Sequence, residues 1–139
     1  VDLQPEEDPE LNQSLKKHKI DLIRLITPNS TNKRIKMISN NASGFLYYVT
    51  VTGITGQKSA DINELDKCIK SIRSFSPLPI VAGFGINSKE QVKKICKVAD
   101  GVVVGSSLVK IIENNIDEKK EMLSLIGKFV KELKDGTQL

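Results

Sequence analysis

Two glycine-bearing segments, Gly83-Phe84-Gly85 and Gly105-Ser106-Ser107, hold the residue types from which proteins build phosphate sites. Each follows a short apolar run and precedes a stretch of helical composition. An anion at a helix N-terminus is stabilised by unpaired backbone N–H groups and by the positive end of the helix dipole. Glycine lets phosphate oxygens reach the backbone without meeting a Cβ, and Ser106 or Ser107 adds a hydroxyl donor. The plainer account makes these ordinary glycines of strand-to-helix turns. Their joint occurrence, with a short helix predicted over Leu108–Asn114 directly after them, favours a cradle built from two adjacent loops.

Other groups offer less. Thr52–Ser59 is a long polar loop containing Gly53, Thr55 and Gly56. It reads as a lid that excludes water from a bound substrate, or as a plain connection. Tyr47 and Tyr48 must point to opposite faces of a strand, so one faces the helices and the other the far side of the sheet. Asp2, at a strand tip, could touch a substrate or cap a turn. Asp100 lies at the N-terminal end of its strand, away from such tips. Glu6, Glu7 and Asp8 read as first-turn residues that suit a helix dipole. His18, among lysines, reads as solvated, so no Ser–His–Asp or Cys–His set is credible and a histidine metal site is not expected. Cys68 and Cys96 sit in apolar helical patterns and read as small buried hydrophobes.

The elements that must carry these residues follow from periodicity. Phe45–Val51 (FLYYVTV) is the strongest strand signal, with further strands at Leu22–Ile26, Pro79–Ala82 and Gly101–Val104. Helical patterns cover Asp8–Lys19, Thr31–Asn40, Asp61–Phe75, Ser88–Val98, Leu108–Asn114 and Glu118–Leu133. Ser88 with Gln91 three residues on forms a capping box. Strict alternation means parallel strands with helical crossovers. PIVA and GVVV are apolar on both faces, as fully covered parallel strands are. A doubly wound open sheet and part of a (β/α)8 barrel both fit. Glycine turns at successive strand tips and an extra helix after the last one favour the barrel. The opening Val1-Asp2-Leu3 reads as the end of a strand, so the chain is expected to continue upstream.

Composition narrows the classes. The 139 residues are 39% hydrophobic and 27% charged, which suits a folded domain. The net charge of +4 comes from lysines interleaved with acids along helices, the pattern of solvated faces, and aromatic residues are only 4%. Nucleic-acid binding is not expected. No run approaches the roughly 20 apolar residues that span a bilayer, so no membrane association is expected. Two cysteines suit a reduced, cytoplasmic setting.

GFLYYVTVTGITG, then PIVAGFGI, then ADGVVVGSSLVKIIE, in this order and spacing, resemble the tryptophan synthase alpha chain family. VDLQPEE is similar to the segment after that family's fourth strand, and LIRLITPNSTNKRI to its fifth strand and following helix. The likeness covers essentially the whole chain and matches only the C-terminal half of the family. It implies that residues 1–139 are the C-terminal part of a single (β/α)8 TIM-barrel domain. It implies an alpha-subunit lyase that cleaves indole-3-glycerol phosphate to indole and glyceraldehyde 3-phosphate by a retro-aldol step. A tryptophan synthase beta chain would receive the indole and hold pyridoxal phosphate, with no cofactor in this chain.

By the same resemblance, Thr55 and Gly56 belong to the lid loop, Gly56 also touching phosphate. Phe84 and Gly85 form one phosphate loop, and Gly105 and Ser106 the other. Tyr47 is the substrate-facing tyrosine, and Leu25 lines the indole pocket. Two positions depart: Val51 stands where arginine is common, and Gln4 where proline is common. The family's acid–base carboxylates, a glutamate on strand two and an aspartate in the loop after it, have no counterpart here. No catalytic residue is therefore expected within this stretch, which alone is expected to be inactive. The alternatives are a non-catalytic half-barrel that binds phosphates or docks to a beta chain, and a different phosphate-binding barrel.

Overall fold

A computed structural model describes residues 4–49, 62–83 and 85–138. In chain order the elements are α1 (Pro9–Lys17), β1 (Arg24–Ile26), α2 (Asn32–Asn40), β2 (Leu46–Val49), α3 (Ile62–Arg73), β3 (Ile80–Gly83), α4 (Lys89–Ile95), β4 (Gly101–Val102), α5 (Ser106–Asn114) and α6 (Lys119–Asp135). The strands form one parallel sheet in the order β1-β2-β3-β4. Sequential strands are spatial neighbours with no reversal of order. A barrel wall has this order, as do the strands on one side of a doubly wound sheet's switch point.

The register sorts side chains into two faces. Arg24, Leu46 and Ile80 form one cross-strand row, and Ile26, Tyr48, Ala82 and Val102 the next row on the same face. This face is buried against Ile35 and Ile38 of α2, Leu65, Ile69 and Ile72 of α3, and Val92 and Ile95 of α4. Each helix presents its apolar residues at spacings of three or four, which places them on one stripe. Burying an isoleucine of this kind stabilises the fold by about 1.5–3 kcal/mol. The opposite face carries Leu25, Tyr47 and Val81 in one row, and these are half-buried or exposed.

Local signals set the helix starts. Ser88 Oγ accepts from Gln91 N at 3.3 Å, and Gln91 Oε1 accepts from Ser88 N at 3.2 Å, so the capping box closes as the spacing predicts. Thr31 Oγ1 caps α2 by accepting from Arg34 N.

Two expectations change. GVVV is not fully covered: residues 101–104 are only half-buried, because β4 is the edge of this sheet and is regular over two residues. Asp8 is not a first-turn residue. It stands at the N-cap of α1, makes no capping bond, and is buried in an ion pair with Arg24. Arg24 lies on the helix-covered face of β1, where a guanidinium needs a carboxylate partner. Val1-Asp2-Leu3 lies outside the described residues, as do Thr50 and Val51 at the end of the predicted FLYYVTV strand.

Asp100 braces the N-terminal end of the sheet. Its Oδ2 accepts from Ile80 N at 2.7 Å and its Oδ1 from Arg73 Nη2 at 2.9 Å, tying α3 to two strands. Partial burial opposes its charge, but the Ile80 N–H and the Arg73 guanidinium outweigh that and hold the carboxyl below the usual carboxylate range.

Candidate functional site

The C-terminal ends of β3 and β4 lead into the two glycine turns. Ile86, just after the first turn, is buried and anchors it to the core. Ser107, in the first turn of α5, donates its Oγ–H to the Ile86 carbonyl at 3.0 Å. One side chain thus ties the start of α5 to the loop after β3. Gly85, Asn87, Ser106, Ser107, Lys110 and Asn114 line a shared cavity of about 370 Å³.

The glycines divide by physical cause. Gly85 has φ +69°, in the left-handed region, so its own backbone demands glycine. Gly83 is a packing glycine: a Cβ there would stand 2.7 Å from Tyr47 Oη and 2.8 Å from the Val103 carbonyl. The plainer account therefore suffices for Gly83. Gly105 has neither reason. Its φ is −119°, and a Cβ built on it meets nothing within 4 Å among the described residues. It is the N-cap of α5, and among the described residues no side chain caps that helix. Open space, uncapped N–H groups and a positive dipole end together suit an anion.

Tyr47 and Tyr48 separate as alternation requires. Tyr48 is buried on the helix side. Its burial, its hydrogen bond with Cys68, and the Cys68 and Glu64 charges push its hydroxyl well above the usual phenol range. Tyr47 lies on the other face, paired in register with Leu25 and reaching across to Gly83 at the tip of β3. Burial raises its hydroxyl above the ordinary phenol value too, so it stays a neutral donor at pH 7. Leu25 is 37% exposed and lines a second cavity, of about 320 Å³, beside β1. Gln4 Oε1, at the edge of that cavity, accepts from Arg34 Nη2 at 3.1 Å, and Arg34 also pairs with Glu6.

The structure brings Gly85 and Ser106 to one cavity, with Gly105 next to Ser106 in the chain, and sets Leu25 and Tyr47 in one row of the sheet, Leu25 lining a separate cavity. Thr55, Gly56 and Phe84 lie outside the described residues, as does Asp2. The sequence reading missed Lys110 in the cavity wall and the Asp8–Arg24 pair. Arg24 interrupting an apolar strand was the available signal for the pair. Among the described residues, no cluster of His, Cys, Asp or Glu could hold a metal, and no helix is long and apolar enough to cross a membrane.

Comparison with known proteins agrees with this fold. The sequence pattern of the tryptophan synthase alpha chain family matches residues 1–138. The tryptophan synthase alpha chain of Geobacter sp. strain M21 is 45% identical over 98% of this chain and 50% of its own length. That of Methanocaldococcus jannaschii is 42% identical over 87% of this chain and 43% of its own. Among solved structures, the tryptophan synthase alpha chain of Legionella pneumophila superposes with TM-score 0.82 at 30% identity, covering 99% of this chain and 50% of that one. A tryptophan synthase structure from M. tuberculosis gives 0.81 at 28% identity, covering 99% and 49%. The chain spans about half the length of the curated relatives it matches. Its parallel βα units are those of the C-terminal half of a (β/α)8 barrel, and the chain belongs to the tryptophan synthase alpha chain family.

Proposed function

We propose that residues 1–139 form the C-terminal part of a single barrel domain in an alpha-subunit lyase that cleaves indole-3-glycerol phosphate. In that reaction the ring carbon that bears the glycerol chain takes a proton and the ring N–H gives one up. The carbon–carbon bond then breaks, the adjacent glycerol hydroxyl loses its proton to become an aldehyde, and the ring nitrogen recovers one. The products are indole and glyceraldehyde 3-phosphate. Such steps need a positioned base and acid. In this reading those carboxylates lie upstream, on the half of the barrel that this chain does not contain.

This chain's share is binding and orientation. The Gly85 and Gly105-Ser106 turns hold the phosphate, with Phe84 and Gly56 beside them. Leu25 and Tyr47 flank the indole, and the loop with Thr55 closes over the substrate. A tryptophan synthase beta chain that carries pyridoxal phosphate is the proposed partner, and the cytoplasm the proposed location. The observation that carries the reading is the Ser107 Oγ bond to the Ile86 carbonyl, which ties the start of α5 to the loop after β3 at a cavity lined by Gly85 and Ser106.

The test is indole release from indole-3-glycerol phosphate. The full-length protein carrying these residues should release indole, whereas residues 1–139 alone should bind glycerol phosphate and release none. Steady-state indole production by residues 1–139 alone would overturn the division of labour, and no cleavage by the full-length protein would overturn the substrate.

A further inference from the structure

We infer that Lys110 is the charge-matching residue of the phosphate cradle and gives it a preference for dianions; the inference rests on the phosphate reading above. Lys110 follows Ser106 by four residues on α5, so the two share one flank of the helix. Both line the cavity that also contains Gly85. Among the described residues lining it, Lys110 is the one cation, and no ion pair with an acidic group is formed there. Glu113, three residues on, is the nearest acid along the helix.

The charge balance is what demands such a residue. A phosphate monoester carries about −1.5 to −2 charges at pH 7. The turns supply neutral N–H groups, and one helix end is worth roughly half a positive charge. That leaves most of the negative charge uncompensated. A lysine adds a full charge on a flexible stem, so the ammonium can follow the anion without fixing its geometry. Lys110 is the fifth of the nine residues of α5, and helical side chains slant toward the N-terminus, so its ammonium can reach back toward Ser106. Among the described residues, two observations point to an occupant: the open space at the Gly105 Cβ position and the lack of a side-chain cap on α5.

The experiment is a titration of the full chain with inorganic phosphate, followed by the amide shifts of Ser106 and Ser107, for wild type, K110Q, K110R and K128Q. Lys110 and Lys128 are both exposed, so these variants should fold like wild type. At pH about 8, where the dianion of inorganic phosphate predominates, K110Q should raise Kd about five-fold. Near pH 5, where the monoanion dominates, its effect should shrink to about two-fold or less. K110R should stay within about two-fold of wild type, and K128Q should match it. Equal Kd for K110Q and wild type at both pH values would overturn this inference and leave the cradle standing. Absence of phosphate binding by wild type would instead overturn the cradle itself.

Discussion

Replacing Gly105 by alanine should separate binding from folding. Two stability effects are in play and they oppose each other. Alanine is a poorer N-cap than glycine, which costs about 0.5–1 kcal/mol. It also restricts the unfolded chain, which contributes about 0.4–1 kcal/mol in favour of folding where the native conformation is allowed. The φ of −119° is open to an L-residue, and among the described residues the new Cβ meets nothing within 4 Å. The terms nearly cancel, and Tm should move by no more than about 2 °C. Phosphate affinity should behave differently. An oxygen bound to these N–H groups sits about 2.9 Å from nitrogen, and a methyl group in the same space keeps it farther away. Kd for inorganic phosphate should rise at least about ten-fold, or roughly 1.4 kcal/mol. Gly85→Ala supplies the contrast. Its φ of +69° imposes about 1–2 kcal/mol of strain on alanine, lowering Tm by roughly 3–8 °C. Calorimetry and phosphate titration on both variants decide the matter. A Gly105→Ala protein that binds phosphate as wild type does would refute the cradle, and one that unfolds easily would refute the packing account of that turn.

Two further outcomes concern the scaffold. Asp100→Asn should remove an acid-linked part of the stability. Because the native carboxyl titrates below its unfolded value near 3.9, its contribution is present above that pH and is lost as pH falls through the native pKa. Arg73 and Asp100 are more than a third exposed, so screening holds the effect to about 1 kcal/mol or less at neutral pH. Denaturant curves at several pH values should show wild type and variant converging at low pH, and a constant gap would argue against the linkage. Arg24→Met should cost about 3–5 kcal/mol by leaving Asp8 buried and charged, whereas the double change with Asp8→Leu should recover most of it. A double variant as unstable as the single one would show that the loss lies in packing rather than in the stranded charge.

What could be read from the sequence was mainly what is local. The capping box at Ser88 and Gln91 lies within one helical turn, and both bonds form. The opposed faces of Tyr47 and Tyr48 follow from the period of a strand, and the register bears this out. The parallel sheet follows from alternating strand and helix patterns, because parallel neighbours need crossovers. Helix ends drifted by one to three residues: α1 stops at Lys17, as the backbone turns through His18 to Lys19 at φ 55°. What could not be read depends on distant segments. Asp8 and Arg24 are 16 residues apart, and only the fold puts that carboxylate over the buried face of β1. β4 has the composition of a covered strand, but burial depends on neighbours that composition does not specify. Lys110 looks like any helical lysine until the loop after β3 closes the other wall of its cavity. Gly83, Gly85 and Gly105 share a residue type yet answer to packing, to backbone angle and to open space respectively.

The convergence of two strand-tip turns on one anion can be measured at the amides. Titrating the full chain with inorganic phosphate while following Gly85, Ser106 and Ser107 by two-dimensional NMR should shift all three along a single saturation curve with one Kd. Shifts confined to one turn, or two unrelated dissociation constants, would contradict a shared site.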